Sequence, residues 1–352
     1  MKSYDVTVVG AGPAGSATAI GCASAGLDVL LLEQGRRNRH KPCGGVLPLV
    51  APEIIEDIVG AAIPDDVRTT PKQLGLYYVP PSGRNNSGRV KGYEIHNIDR
   101  DRFDQWLRDL AEDAGAEISY ETRFVELRRS DGFDVLATTK SGRMSAKSIY
   151  LVGADGVRSK VRNTLFPEHP TPVMIVGQEH WRGSGDFEDC FYGFFRDDVS
   201  ISYAYLIPKD RTLLLGLGVV PQKEPSIVEA HDRFRSWLSV EFSFAPERLV
   251  KKEAWSIPFG YFIPGQGNAI LVGDAAGLCN PLSGEGIRPG VECAEAASDA
   301  IINSGEIPPA ERYANDIKSL ADMIENLNRF VRQLDNAGRE AFVGEELFRG
   351  RG

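Results

Sequence analysis

The chain has 352 residues, of which 42% are hydrophobic and 25% charged, with a formal net charge of −9. That length exceeds what one hydrophobic core usually serves, so two intertwined domains, or one domain carrying a large insertion, are expected. The acidic balance argues against sequence-independent nucleic-acid binding, which needs a basic surface, and the ordinary apolar content argues against disorder.

A strand-like run at residues 4–9 begins almost at Met1 and leaves no room for an export signal, so a cytoplasmic protein is expected. No apolar stretch approaches the roughly 20 residues needed to span a bilayer, which restricts any membrane contact to a peripheral one. The next segments complete a βαβ unit: a glycine turn at 10–15, an Ala-rich helix to Ala25, Gly26 as its stop, and a strand at 28–32. From Ile98, the spacing of Phe103, Trp106, Leu107 and Leu110 predicts an amphipathic helix that Gly115 ends. Residues 117–136 alternate like a hairpin turning at Ser130, Asp131 and Gly132, and 148–152 reads as a buried strand. Between about 167 and 264 the texture changes to short β-rich runs with one helical stretch at 226–238, the pattern of an antiparallel sheet. A buried strand at 269–272 and a helix at 284–303 resume the first style. Beyond Pro308 and Pro309, residues 311–342 read as helical.

The expected fold is therefore α/β, with a discontinuous cofactor domain at 1–70, 95–166 and 265–304. An inserted antiparallel sheet domain for substrate would occupy 71–94 and 167–264, and a helical segment 305–352. The five cysteines, Cys22, Cys43, Cys190, Cys279 and Cys293, form no CxxC pair and no even set, so no structural zinc or other metal site is expected.

Three motifs carry chemistry. The first is Gly10, Gly12, Pro13, Ala14 and Gly15, between a strand and a helix, with Glu33 18 positions after Gly15 and Gln34 beside it. Its spacing supplies a tight turn, close backbone approach to a pyrophosphate, helix–strand packing, and a carboxylate for ribose hydroxyls, as a dinucleotide requires. Glu33 alone could also serve only to solvate a strand end, and Arg36 and Arg37 are either surface charges or adenine-side contacts. The second motif is a buried strand running through Gly153, Ala154, Asp155 and Gly156 into a basic helix start. In the third, Gly273 and Asp274 end a buried strand, and Pro281, Gly284, Gly286 and Ile287 lead into a helix. Asp274 can accept a bond from a ribityl hydroxyl, and the free N–H groups of that helix start suit the negative edge of a reduced flavin. An ordinary strand–loop–helix with glycine caps is the alternative.

Together GAGPAG with Glu33, GADG, and GDAAGLCNPLSGEGI resemble the three fingerprints of the class A flavin monooxygenase and geranylgeranyl reductase superfamily. Two further segments resemble the geranylgeranyl reductases. Lys41, Pro42, Cys43, Gly44 and Gly45 are similar to a KxCGGG signature, with Val46 for the last glycine. Residues 203–209 are similar to a YxWxFP signature, with Tyr205 for the tryptophan and Ile207 for the phenylalanine. Gly277 follows GDAA where aromatic hydroxylases usually carry His. The resemblance implies a glutathione-reductase-type Rossmann domain holding FAD, with Gly44 and Gly45 along the ring system and Arg100 approaching it. Arg100 could instead be a helix-start charge paired with Asp104.

The implied reaction is reduction of carbon–carbon double bonds in an isoprenoid or lipid-like substrate by hydride from reduced flavin. With one dinucleotide fingerprint, NAD(P)H, if it is the donor, is expected to visit only transiently, a protein reductant being the alternative. Cys43 and Tyr205 are the candidate catalytic groups, Cys43 being equally readable as a small structural residue, and a redox pair of Cys43 with Cys279 is a further option. Ile201, Tyr203, Tyr205 and Ile207 share one strand face, and Trp181, Phe191, Tyr192, Phe194 and Phe195 lie nearby in sequence. These residues either line a substrate tunnel or fill a sheet core. A monooxygenase or halogenase acting on a small aromatic substrate, and an electron-relay flavoprotein, are the competing functions; no iron–sulfur cysteine set supports the last.

Overall fold

The computed structural model describes residues 2–221 and 225–349. Its first sheet has a parallel core in the order Ala269–Leu271, Gly142–Gly153, Lys2–Val9, Val29–Leu32, Glu117–Ser119. The strand Gly142–Gly153 changes partners along one edge. Residues 142–148 pair with the antiparallel strand Gly132–Thr139, and residues 151–153 with Ala269–Leu271. Both faces of the parallel core are covered, which is why Val29–Leu32 is apolar at every position and fully buried.

The helix Pro13–Ser24 starts with proline, which supplies a preset φ and no orphan N–H. Small residues dominate it, so it can be buried on nearly all sides, packed between the helices Arg100–Asp113 and Ile287–Ile302. A side chain at Gly21 would sit 2.5 Å from Ser298 Oγ, so glycine there sets the helix–helix distance.

The second sheet runs in the order Ala245–Pro258, Val173–Ser184, Thr212–Val219, Ala204–Lys209, Cys190–Phe194, Arg68–Val79, Gly88–Ile98, Val46–Pro48. All its pairings are antiparallel except Cys190–Phe194 with Arg68–Val79. Strand Val46–Pro48, from a segment assigned by sequence to the cofactor part, bonds into this second sheet. Alternation along the strands gives the sheet two apolar faces. Tyr192, Phe194, Leu206, Leu215 and Leu217 pack under the helix Ile227–Glu241, against Ala230, Phe234 and Leu238. That helix begins at a reciprocal capping box of Ser226 and Glu229. Phe191, Tyr203, Tyr205 and Ile207 point the other way, toward the first sheet.

The predicted C-terminal helical segment is three helices, Pro309–Asp316, Lys318–Gln333 and Asn336–Arg349. In the last, buried Arg339 donates to the carbonyls of Ser200, Ile201 and Ser202, and Phe342 packs on Tyr78 and Phe195. Among the described residues no helix is long and apolar enough to cross a membrane.

Candidate active site

A cavity of about 1010 Å³ extends from the glycine loop of the first sheet to the apolar face of the second. At one end lie Gly10, Gly12, Pro13 and Ala14, with Glu33 and Gln34. Gly10 has a φ of +104°, and a side chain there would meet Ala154 O at 2.4 Å. Gly15 does not line the cavity; a Cβ on it would come within 1.9 Å of Gly10 O, so its role is to let the helix approach the strand. Gly12 is the open one, with only the Arg39 guanidinium 3.7 Å from where a Cβ would stand.

Glu33 is 3% exposed and already engaged. Its carboxylate accepts from Gly35 N at 2.6 Å and Ala11 N at 3.2 Å, and Arg39 Nε stands 3.0 Å away. Arg39 also reaches Asp104 at 3.2 Å, and Asp104 accepts from Arg100 Nε at 2.6 Å. A row of alternating charge, Glu33–Arg39–Asp104–Arg100, thus joins two buried carboxylates to two half-buried guanidinium groups that line the cavity. The ion pair of Arg100 with Asp104 that the sequence suggested is present, and Arg100 still opens on the cavity. Arg36 and Arg37 do not line it: Arg36 pairs with Glu121, and Arg37 with Asp109 and Glu112.

Asp155 and Gly156 line the same half of the cavity. The Asp155 carboxylate accepts from Ser159 Oγ at 2.5 Å, Lys160 N at 2.6 Å and Val161 N at 3.2 Å, anchoring the turn before the helix Lys160–Leu165. Burial raises its pKa, and these bonds oppose the rise.

Further along, Gly273, Asp274, Gly284, Gly286 and Ile287 line the cavity, while Pro281 is buried away from it. The Asp274 carboxylate accepts no hydrogen bond among the described residues, whereas its backbone carbonyl accepts from Tyr261 Oη and Gly277 N; burial raises its pKa, against the charges of Lys41 and Arg100. The helix Ile287–Ile302 begins at Gly286 with no side-chain cap, as Pro13–Ser24 does at Gly12. Two uncapped helix starts, an open glycine cradle and a half-buried, donorless carboxylate along one cavity fit a long ligand with a pyrophosphate in its middle and hydroxyls on its chain. FAD has that form.

Cys43, Gly44 and Gly45 form the wall between the two halves. Gly45 takes a φ of +65°, and Lys209 Nζ donates to the carbonyls of Gly44 at 2.7 Å and Gly45 at 3.0 Å. Burial brings the Lys209 pKa down to about 8. Cys43 Sγ accepts from Gly45 N at 3.4 Å, and all five cysteines are free thiols. Burial pushes the Cys279 thiol well up.

Beyond this wall the chamber is apolar, walled by Leu76, Ile95, Val176, Phe191, Tyr205, Ile207, Trp255 and Ile257. Of the aromatic set singled out in sequence, Phe191, Tyr203 and Tyr205 line the cavity. Tyr192 and Phe194 belong to the core under the opposite helix, Trp181 packs at its edge, Phe195 is buried against Tyr203, and Ile201 is packed beside Met174. Strand alternation explains the split, since residues 191 and 192 necessarily face opposite ways.

A family described as FAD binding domain matches residues 3–179. Over 319 residues the chain is 31% identical to a geranylgeranyl diphosphate reductase of Rhodobacter capsulatus, covering 86% of this chain and 77% of that protein. The chain belongs to the geranylgeranyl reductase family of FAD-dependent oxidoreductases. The geranylgeranyl bacteriochlorophyll reductase-like protein of Thermoplasma acidophilum shares the fold with a TM-score of 0.83 at 19% identity, covering 99% of this chain and 96% of that one. So does the p-nitrophenol 4-monooxygenase of Pseudomonas putida, at a TM-score of 0.76 and 17% identity, covering 100% and 95%.

For this family member, several site residues carried no signal in the sequence. Arg39 sits in the run Arg36, Arg37, Asn38, Arg39, which looks uniformly like surface. Buried Arg162 donates to Tyr261 Oη, Ala275 O and Val157 O, tying the second motif to the third. Gln178 and Lys209 reach the site only through cross-strand register.

Proposed function

We propose that this oxidoreductase saturates carbon–carbon double bonds of an isoprenoid or lipid-like substrate held in the apolar chamber, with NAD(P)H as a transiently visiting electron donor. The observation that carries the reading is the set of apolar side chains, among them Leu76, Ile95, Val176, Phe191, Ile207 and Ile257, that line the same cavity as the Cys43–Gly45 loop. A bond flanked only by hydrocarbon offers no charge for positioning, so shape and apolar contact must do it.

Gly10, Gly12 and Ala14 would hold the pyrophosphate of FAD, Asp274 a ribityl hydroxyl, and Gly44, Gly45, Gly284 and Gly286 the ring system. When bound, FAD supplies the hydride chemistry. Lys209 fixes the Gly44 and Gly45 carbonyls and so sets the wall against which substrate lies. Phe191 and Tyr205, stacked with ring centroids 5.9 Å apart, restrict the chain's position and exclude water. Burial raises the pKa of Tyr205, so its phenol stays protonated at neutral pH, and it stands with Cys43 as a candidate catalytic group lining the cavity.

The test is anaerobic incubation of FAD-loaded protein with NADPH or dithionite and a polyprenyl substrate, followed by mass spectrometry. The expected product gains one pair of hydrogens per saturated bond. Oxygen consumption coupled to hydroxylation of an aromatic compound, with no anaerobic saturation, would overturn the reading in favour of a monooxygenase.

A further inference from the structure

Three neighbouring strands place Gln178, Gly216 and Tyr205 in one row across the second sheet, Gln178 opposite Gly216 and Gly216 opposite Tyr205. The middle position has to be glycine: a Cβ there would lie 2.1 Å from Tyr205 Cζ and 2.3 Å from its hydroxyl oxygen. The Tyr205 ring therefore lies down over Gly216, and its oxygen accepts a 2.6 Å hydrogen bond from Gln178 Nε2. Gln178 is fully buried, and its Oε1 has no partner. The Tyr205 phenolic hydrogen likewise has no acceptor among the described residues. If the amide is turned over, the phenol donates to Oε1 and the two Nε2 hydrogens are left over instead. With Gln178 Nε2 donating to the phenol oxygen, Tyr205, which lines the cavity, keeps its own hydrogen to give. An unused buried donor costs stability until something accepts from it.

We propose that Gln178 and Tyr205 form a hydrogen-bonding anchor for a neutral acceptor oxygen, so that the preferred substrate is an apolar molecule carrying a carbonyl group near the reacting bond. This rests on the reading of the chamber as the substrate site and narrows it. Tyr205 stands where the family signature has tryptophan, so the hydroxyl is a feature of this chain. Gly44 adjoins the pair, since a Cβ there would lie 3.6 Å from Gln178 Nε2 and 3.9 Å from Tyr205 Cε2. The anchored oxygen would therefore sit beside the loop that the ring system shares.

The experiment is calorimetric titration of the FAD-loaded protein with farnesylacetone, a polyprenyl methyl ketone, and with the hydrocarbon of the same chain. Infrared spectroscopy of the ¹³C-labelled ketone carbonyl is measured alongside. The ketone is expected to bind about fivefold to tenfold more tightly, the worth of one neutral hydrogen bond, with its carbonyl stretch lowered from the value in hexane. Tyr205→Phe and Gln178→Met, both close in shape, should bring the two affinities within twofold, and Tyr205→Phe should return the stretch to its hexane value. Equal affinity of the two probes for the unmodified protein, or a ketone preference that survives Tyr205→Phe, overturns the anchor and leaves the chamber reading standing. Binding of neither probe overturns the chamber reading, and the anchor with it.

Discussion

Replacing Arg39 by methionine should strand two buried carboxylates at once. The guanidinium stands 3.0 Å from Glu33 and 3.2 Å from Asp104, whose side chains are 4% and 1% exposed. Breaking a buried pair costs roughly 3–5 kcal/mol when nothing else compensates. Here compensation is partial. Glu33 keeps two backbone N–H donors, Asp104 keeps Arg100, and Arg39 Nε meets Glu33 as a charge contact without hydrogen-bond alignment. A loss of about 2–3 kcal/mol is expected, with methionine retaining much of the packing. With a urea dependence on the order of 3 kcal/mol per molar for a chain of this size, the midpoint should fall by about 0.8 M. Adding Asp104→Asn to Arg39→Met should cost less than the sum of the single changes by at least about 1 kcal/mol, because the stranded charge is then absent. A midpoint shift below about 0.2 M, or strict additivity, would refute the idea that Arg39 neutralises the row.

Other predictions follow from single contacts. His231 is buried and its pKa is brought down to about 4 by burial, with nearby Glu179 opposing. Below the ordinary value of 6.5 the unfolded chain takes up a proton that the folded one refuses. Stability should therefore fall by up to about 3 kcal/mol as pH drops from 6.5 toward 4, and urea midpoints of His231→Leu should lack that slope. As pH rises through about 8, Lys209 loses its charge, and its bonds to the Gly44 and Gly45 carbonyls weaken from charge-assisted to neutral ones. FAD affinity, read from free-flavin fluorescence, should weaken in that window, whereas Lys209→Met should bind about tenfold more weakly with no such step. Gly10→Ala puts a methyl 2.4 Å from Ala154 O at a φ of +104°, so the purified variant should be colourless; a yellow variant with full FAD content would contradict the geometry.

What could be read from sequence was what local spacing encodes. The Gly10–Gly15 turn, Asp155 and Asp274 each follow a buried strand within three residues, and a strand end is where backbone geometry exposes a site. The helix at Ser226 was visible as one helical stretch among β-rich runs, although it runs three residues beyond the predicted end, to Glu241. Unlike these, Gln178 and Lys209 owe their roles to the pairing of distant strands. Nothing in residues 190–195 says which of Phe191 and Tyr192 meets the cavity, because both faces of that strand are apolar and only the helix on the far side breaks the symmetry. Arg39 was hidden for a related reason: a buried charge looks like a surface one until its partners, far off at Glu33 and Asp104, are known.

The grip of Arg339 on Ser200, Ile201 and Ser202 bears on the order in which the molecule is finished. Translation delivers every strand of the first sheet, and the helix Ile287–Ile302, a few seconds before Arg339, at about 5–20 residues per second. A nascent polypeptide can therefore have its nucleotide-binding half complete while Tyr78 and Phe195 still lack the Phe342 side chain that covers them. During that interval, or after clipping near the carboxyl end, chaperones and proteases would meet exposed aromatic surface on an otherwise finished protein.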